Sequence, residues 1–485
     1  MTRCPPGDCQ LPFACLLMFD QPIHRRGLLQ IGSAGAVGLS LPALLAARDG
    51  QKSRPLPKAK SCLLFFLEGG PAHQDLWDMK PDAPSEFGHG FKPITSTLDG
   101  VPVCDQLPML ARQMHHLAMV RSVHHSVNDH NAGAYYMLTG RSPVQSGSLI
   151  VRDQPENLPP YGAVMAMKNP HGRVPEFVHL PDVMSNMGYD IPGQRAGFLG
   201  AAHDPLVAGD PSDKRYRIPG LNFPQGSSRA RLNARRSLLE TLDQNQDQTA
   251  AAYAQLGTHY DKAFTLLASN ETRNAFDLSQ KPDSLRERYG LPDREDRSVE
   301  ARKFGGLPHL GQCMLTARRL IESGVRLVTV CTGRRIDQTW DTHREHYPLL
   351  KKSILPYVDR AFSALLEDMS DRGLLDETLV IAMGEFGRTP KLGQVTSGAG
   401  ATPVGRDHWP YCYTVMMGGA GIKAGALYGK SDRYAAYPAE KPCTPEDIAA
   451  TIYHALGMDP ESRIYDPLNR PHSLALGNPI LDILT

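Results

Sequence analysis

What most constrains this chain is a set of short, continuous apolar runs of strand length that alternate with longer helical patterns. The runs are Cys62 to Leu67, Leu117 to Val120, Glu176 to Leu180, Val325 to Val330, Glu377 to Met383 and Tyr413 to Met417. They are apolar at successive positions rather than at every second one, as strands buried on both faces require. Between them, Cys313 to Glu322 is amphipathic and stops at Gly324, and Pro356 to Arg372 reads as a helix. A last helix opens at Thr444-Pro445-Glu446-Asp447 with an N-cap, a proline at the first position and acids in the first turn, and it closes at Leu456-Gly457. The alternation predicts an α/β fold, a mostly parallel central sheet with helices on both faces. Residues 227–312 change to helical spacing among charges and read as a helical insert.

The length of 485 residues and the 41% hydrophobic content exclude a disordered chain. Lys+Arg at 52 against Asp+Glu at 51 leaves no electrostatic ground for a nucleic-acid partner.

Residues 1–47 read as an address rather than as part of the fold. Arg25-Arg26 precede a weakly apolar, glycine-containing stretch that ends at Ala46-Ala47, the pattern of a twin-arginine export signal. Gln30, Ser33, Ser40 and Pro42 make the stretch a poor membrane span. The expected location is therefore periplasmic or otherwise extracytoplasmic, with membrane contact only through an uncleaved signal. The folded domain is expected over residues 48–485. Its cysteines, Cys62, Cys104, Cys313, Cys331, Cys412 and Cys443, show no metal-binding spacing and are expected as buried thiols.

In sheets of this kind, functional residues collect in loops beyond the carboxyl ends of the strands. The first run leads into Glu68-Gly69-Gly70-Pro71-Ala72-His73, the fourth towards Trp340-Asp341-Thr342-His343, and the fifth into Gly384-Glu385-Phe386-Gly387-Arg388. Gly405-Arg406-Asp407-His408-Trp409-Pro410 lies in a glycine-rich loop. Carboxylates and imidazoles from separate strand ends form the mixed oxygen and nitrogen set that holds a divalent metal, zinc or manganese, as one or two ions. The second run leads into a polar segment, Arg121 to Arg141, that contains His124, Asn128, Asp129, His130 and Asn131. Asn128 or Asp129 caps a short helix ending near Gly140, and the free N–H groups of its first turn favour an anion.

These residues resemble the alkaline-phosphatase and sulfatase superfamily. Asp371 to Ile381 is similar to the helix-to-strand segment before the sulfatase Asp-His-Gly metal motif, with Glu385-Phe386-Gly387 standing at the motif itself. Tyr136-Met137-Leu138-Thr139-Gly140-Arg141 resembles the end of the nucleophile helix, and Ile448 to Gly457 the late helix. More closely, the twin-arginine start, Glu68-Gly69-Gly70-Pro71, Asn128-Asp129-His130-Asn131, Trp340-Asp341-Thr342-His343, Glu385 to Pro390 and Gly405 to Pro410 resemble the exported domain-of-unknown-function family 1501. The resemblance implies an alkaline-phosphatase-like fold with Glu68, Asp341, His343, Glu385 and His408 as metal ligands. It also shows departures. Phe386 takes the place of a ligand, and the sulfatase nucleophile position falls on His130, with Ala132 and Ala134 where that motif has proline and arginine. A formylglycine sulfatase mechanism is thereby excluded.

Two functions follow as expectations. One is an extracytoplasmic, metal-dependent hydrolase of phosphate or sulfate esters. In it His130 or a bound water attacks, Asn131 and Arg388 hold the anionic group, and His73 or His124 serves as general acid. The other is a non-catalytic protein that keeps the fold and part of the metal site and recognises an anionic or carbohydrate ligand.

Overall fold

The computed structural model describes residues 59–485 apart from 89, 169–173, 214–215, 219–227, 291–308, 337–338 and most of 229–268. The expected export signal at 1–47 and much of the expected helical insert at 227–312 lie outside the described residues. Within the insert, helices cover Asn270–Phe276 and Asp283–Tyr289.

The six apolar runs form strands β1 (Ser61–Phe66), β2 (Leu117–Val123), β3 (Phe177–Leu180), β5 (Leu327–Cys331), β6 (Thr378–Met383) and β7 (Tyr413–Gly419), and two short strands outside them are β4 (Leu206–Val207) and β8 (Leu427–Tyr428). They make one eight-stranded sheet in the order β4-β3-β5-β1-β6-β7-β2-β8. β1 sits at its centre, parallel to β5 (Cys62 opposite Leu327) and to β6 (Ser61 opposite Thr378).

Continuous burial has a simple cause here, because alternate residues of one strand feed two different cores. Leu63 and Phe65 of β1 join Val380 and Ala382 of β6 in a core on one face. Cys62, Leu64 and Phe66 join Leu379, Ile381 and Met383 on the other. The first core is closed by helices whose apolar stripes face it, residues Leu310–Glu322 and Leu355–Asp371. The second is closed by α1 (His130–Thr139), α2 (Tyr161–Lys168) and α3 (Pro445–Ala455). The sheet is mostly parallel and covered on both faces, as the alternation predicts.

β7 is the exception in direction. It runs antiparallel to both β6 and β2, whereas the other paired neighbours in the sheet are parallel. Its incoming end therefore lies at the rim where the other strands finish. The loop before β7, which carries His408, meets the loops after β1, β2, β5 and β6.

The helix that enters this rim is α1. Asp129 caps it by accepting from the Ala132 N–H at 2.9 Å, and Gly140 ends it at φ +63°. A Cβ at Gly140 would lie 2.1 Å from the Ala449 Cβ, so the residue is required both by the turn and by the packing of α1 against α3. Among the described residues no helix is long and apolar enough to cross a membrane. The six cysteines of the described chain are all free and buried.

Candidate metal centre

Four side chains from three segments, the start of α1 and two loops, meet at the rim. His130, Asp341, His343 and His408 each offer one donor atom, and the four atoms lie within 4.8 Å of one another. The Asp341 Oδ1 atom is the common neighbour. It lies 2.7 Å from His343 Nε2, 3.2 Å from His130 Nε2 and 3.6 Å from His408 Nε2. The Nε2 atoms of His343 and His408 are 3.0 Å apart.

The outer nitrogens explain why this arrangement is unusual. His408 Nδ1 meets the Asn128 carbonyl at 3.0 Å, and His343 Nδ1 meets the Gly400 carbonyl. A carbonyl only accepts, so both rings carry their proton on Nδ1 and turn an Nε2 lone pair inward. In the neutral form of both rings, two lone pairs and a carboxylate oxygen face one another, an arrangement that a proton or a metal cation relieves. Three imidazoles and one carboxylate match the ligand chemistry of zinc or manganese, and the four separations, 2.7–3.6 Å, bracket the roughly 3.3 Å edge of a tetrahedral site with bonds near 2.0–2.1 Å. The residues present fit the group.

The third ring is set differently. His130 Nδ1 lies 2.6 Å from Glu385 Oε1, whose same oxygen accepts the Gly69 N–H at 2.8 Å. Burial alone would lower the His130 pKa, but Asp341 on one side and Glu385 on the other raise it to about 9. His408 is pushed down to about 4 by burial, with the positive charges of His130 and Arg388 acting in the same direction. Burial works to raise the Asp341 pKa, yet Arg388 and His130 hold it well below the usual carboxylate range. The two flanking carboxylates thus favour a proton on His130, and a metal bound there would compete with that proton.

Asp341, His343 and His408 stand together as the sequence predicts, and His130 joins them as a fourth donor. The other expected residues are placed differently. Glu385 is fully buried behind His130, with Oε2 lacking a hydrogen-bond partner, and it faces an imidazole rather than the donor group. Its main-chain carbonyl meets His125 Nε2 at 2.7 Å, a support that the sequence reading missed.

Glu68 is also fully buried, but its carboxylate accepts from the Thr332 N–H at 2.9 Å and from the Gly333 N–H. Burial pushes its pKa up to about 8. It braces the end of β1 against the end of β5 and lies outside the donor group.

Arg388 is fully buried and points inward. Its N–H groups go to the carbonyls of Gly69, Gly70 and Arg406, to Asp341 and, at 3.4 Å, to His343 Nε2, so it neutralises that carboxylate from within the donor group. Asn131 is a bracket, donating to the Val151 carbonyl at 2.8 Å and accepting from Asn186 at 2.9 Å. His73 is buried beyond Gly387, 4.0 Å from Asp78, and burial lowers its pKa to about 4. His124 is half-buried, and its N–H donates to the Cys443 carbonyl. Neither of these two histidines contacts the four donors. Phe386 forms a wall, its ring centre 4.9 Å from that of His130 and 4.8 Å from that of His408.

Sequence spacing reveals which loops meet, but not which way each polar side chain turns. That is why carboxylates of one type divide into a donor (Asp341), a support behind a donor (Glu385) and a strand brace (Glu68).

A family model described as protein of unknown function (DUF1501) matches residues 59–484. No curated protein matches the chain. Among solved structures, the phosphonate monoester hydrolase SpPMH from Silicibacter pomeroyi is similar at 14% identity and a TM-score of 0.34, over 88% of this chain and 76% of that one. The lipoteichoic acid synthase LtaP from Listeria monocytogenes is similar at 12% identity and a TM-score of 0.36, over 89% and 79%. The PsFucS1 sulfatase from Pseudoalteromonas sp. is similar at 13% identity and a TM-score of 0.34, over 86% and 70%. Likenesses this distant transfer no residue role.

Proposed function

The chain belongs to the DUF1501 family, and we propose that it is a metal-dependent hydrolase of phosphate or sulfate esters that works outside the cytoplasm after export on its twin-arginine signal. The alkaline-phosphatase-like architecture expected from the motifs is part of this proposal. The observation that carries it is the convergence of three imidazole Nε2 atoms on Asp341, two of them on rings whose outer nitrogens face carbonyls and so leave Nε2 as the inward donor of the neutral ring.

His130, Asp341, His343 and His408 would hold the ion, zinc or manganese. A bound ion of this kind supplies a Lewis acid for an ester oxygen and lowers the pKa of a bound water. The chain supplies the rest. Glu385 fixes the orientation and basicity of His130 through Nδ1. Arg388 offsets the charge of Asp341, and Phe386 excludes water from one side. The first turn of α1 opens at the same rim, where its N–H groups favour an anionic group.

The nucleophile in this reading is water. Of the His130 nitrogens, Nδ1 pairs with Glu385, and Nε2, which lies 3.2 Å from Asp341 Oδ1 without a hydrogen-bond partner, belongs to the donor group. No cysteine of the described chain is available, because burial pushes each thiol pKa up. The same observation favours a second reading, a binding protein that holds a metal and an anionic or carbohydrate ligand without turnover. Among the described residues, no serine, threonine or cysteine side chain is a hydrogen-bond partner of the four donor groups.

Metal analysis of the exported protein, paired with a panel of phosphate and sulfate esters, separates the two. The hydrolase predicts about one ion per chain and turnover that a chelator abolishes and added zinc or manganese restores. Bound metal with no turnover across the panel supports the binding protein, and metal-free protein in zinc-replete medium contradicts both.

A further inference from the structure

A loop outside the donor set fixes two of its members. Asp407 is fully buried, and its carboxylate accepts four hydrogen bonds. Oδ2 takes the N–H groups of Thr396 and Ser397 at 2.8 and 2.9 Å, and Oδ1 takes the Ser397 hydroxyl at 2.6 Å and the His408 N–H at 2.8 Å. Three of these four come from a single segment, residues 396–397. They bind that segment to the residue next to a metal ligand.

From this anchored segment, two contacts run to the imidazoles. On one side, Ser397 starts a turn in which its hydroxyl accepts the Ala399 N–H at 3.2 Å and its carbonyl accepts the Gly400 N–H at 3.2 Å. Gly400 takes φ +68°, and its carbonyl accepts from His343 Nδ1. On the other side, the Thr396 carbonyl accepts from Asn128 Nδ2 at 2.8 Å, and the Asn128 carbonyl accepts from His408 Nδ1 at 3.0 Å. Thr396 also donates its hydroxyl to the His408 carbonyl at 2.6 Å. One carboxylate therefore stands behind both carbonyls that assign the tautomers of His343 and His408.

We infer that Asp407 is a positioning residue for the metal centre: by clamping residues 396–400 it keeps the protons of His343 and His408 on Nδ1 and both Nε2 lone pairs aimed at the ion. The inference rests on the proposed metal-site reading and extends it to a residue that touches neither the ion nor a substrate. Asparagine at this position would keep one accepting oxygen but turn an amide N–H group towards the N–H donors of the segment. The loop would lose its hold although the side chain keeps its size.

The test compares zinc affinity of the wild type and Asp407→Asn by chelator competition, together with the visible spectrum of the cobalt-substituted proteins. Asp407→Asn should bind zinc about 10- to 100-fold more weakly, the range found when an outer partner of a ligand is removed. Its cobalt bands should weaken or shift, since the ligand nitrogens are no longer held in one orientation, while far-ultraviolet circular dichroism stays that of the wild type. Asn128→Ala removes a half-buried side chain at the far end of the same chain of contacts and provides a second variant should Asp407→Asn not fold. It should weaken zinc by about 10-fold, the lower end of that range. Wild-type zinc affinity with an unchanged cobalt spectrum in these variants overturns the clamp alone. Wild-type protein that takes up no zinc overturns the metal-site reading and the clamp with it.

Discussion

Asp341→Asn should abolish metal binding and destabilise the fold at the same time. Its Oδ1 atom is the meeting point of three imidazoles and also the one carboxylate in contact with Arg388 among the described residues. Removing the charge takes from the ion its only anionic donor, so the loss of affinity should exceed the about 10- to 100-fold expected for an outer partner. It also leaves Arg388, which is fully buried, without a counter-charge. Breaking a buried pair from one side costs about 3–5 kcal/mol, and asparagine, which still accepts one hydrogen bond, should fall near the lower figure. The two effects separate in a double variant. Adding Arg388→Met to Asp341→Asn removes the stranded cation, so stability measured by urea unfolding should recover in part while zinc affinity does not. Recovery of zinc binding in the double variant would contradict the ligand role of Asp341.

Asp75→Asn should be as costly to the fold, yet leave the four donors in place. Asp75 is buried and accepts from His346 Nε2 at 2.9 Å, from the Tyr347 hydroxyl at 2.8 Å and from Arg406 Nη2 at 3.1 Å, with the charged Arg406 Nε 2.7 Å from its other oxygen. Arg406 is fully buried and also donates to the carbonyls of Phe87, Thr389 and Pro390. The knot ties the segment after β1 to the loop that carries Asp407 and His408. Burial works to raise the Asp75 pKa, but Arg406 and the hydrogen bonds from His346 and Tyr347 lower it to about 2.

A carboxyl group whose pKa is lower in the folded chain than in the unfolded one stabilises the fold above its unfolded value. That stabilisation is lost as pH falls from about 4 through about 2, because the unfolded chain takes up the proton first. For this shift it amounts to about 2 kcal/mol. The variant should lose about 3–5 kcal/mol at pH 7, as expected for stranding the Arg406 guanidinium. Its stability should then fall less steeply than that of the wild type between pH 4 and pH 2. Urea unfolding at pH 7, 4 and 2.5 reads both effects. Equal slopes in acid would show that the Asp75 pKa is not depressed.

These two carboxylates illustrate what the sequence makes legible and what it does not. The strands are legible because β1, β5 and β6 are buried on both faces, and such burial demands continuous apolar runs. Their order is not, since β1 pairs with residues more than 260 positions away and nothing in the local pattern names a partner. The reversed direction of β7 is hidden for the same reason, as an apolar run reads alike both ways. Asp341, His343 and His408 are legible as candidate donors because imidazole and carboxylate beyond strand ends have one chemistry in common.

What distinguishes Glu68 and Glu385 from Asp341 is the side-chain direction. Backbone N–H groups of Thr332 and Gly333 capture the first, and Gly69 and His130 capture the second. Asp75 and Asp407 look like ordinary loop acids in the sequence, and only the contacts made across the fold show what each one holds.

Anomalous diffraction from crystals grown with zinc tests whether His130, Asp341, His343 and His408 bind one divalent ion. A single strong peak is expected with the Nε2 atoms of the three histidines and Asp341 Oδ1 about 2.0–2.2 Å away, and Glu385 still paired with His130 Nδ1. A peak against Glu68, or no peak among these four side chains, would contradict that binding.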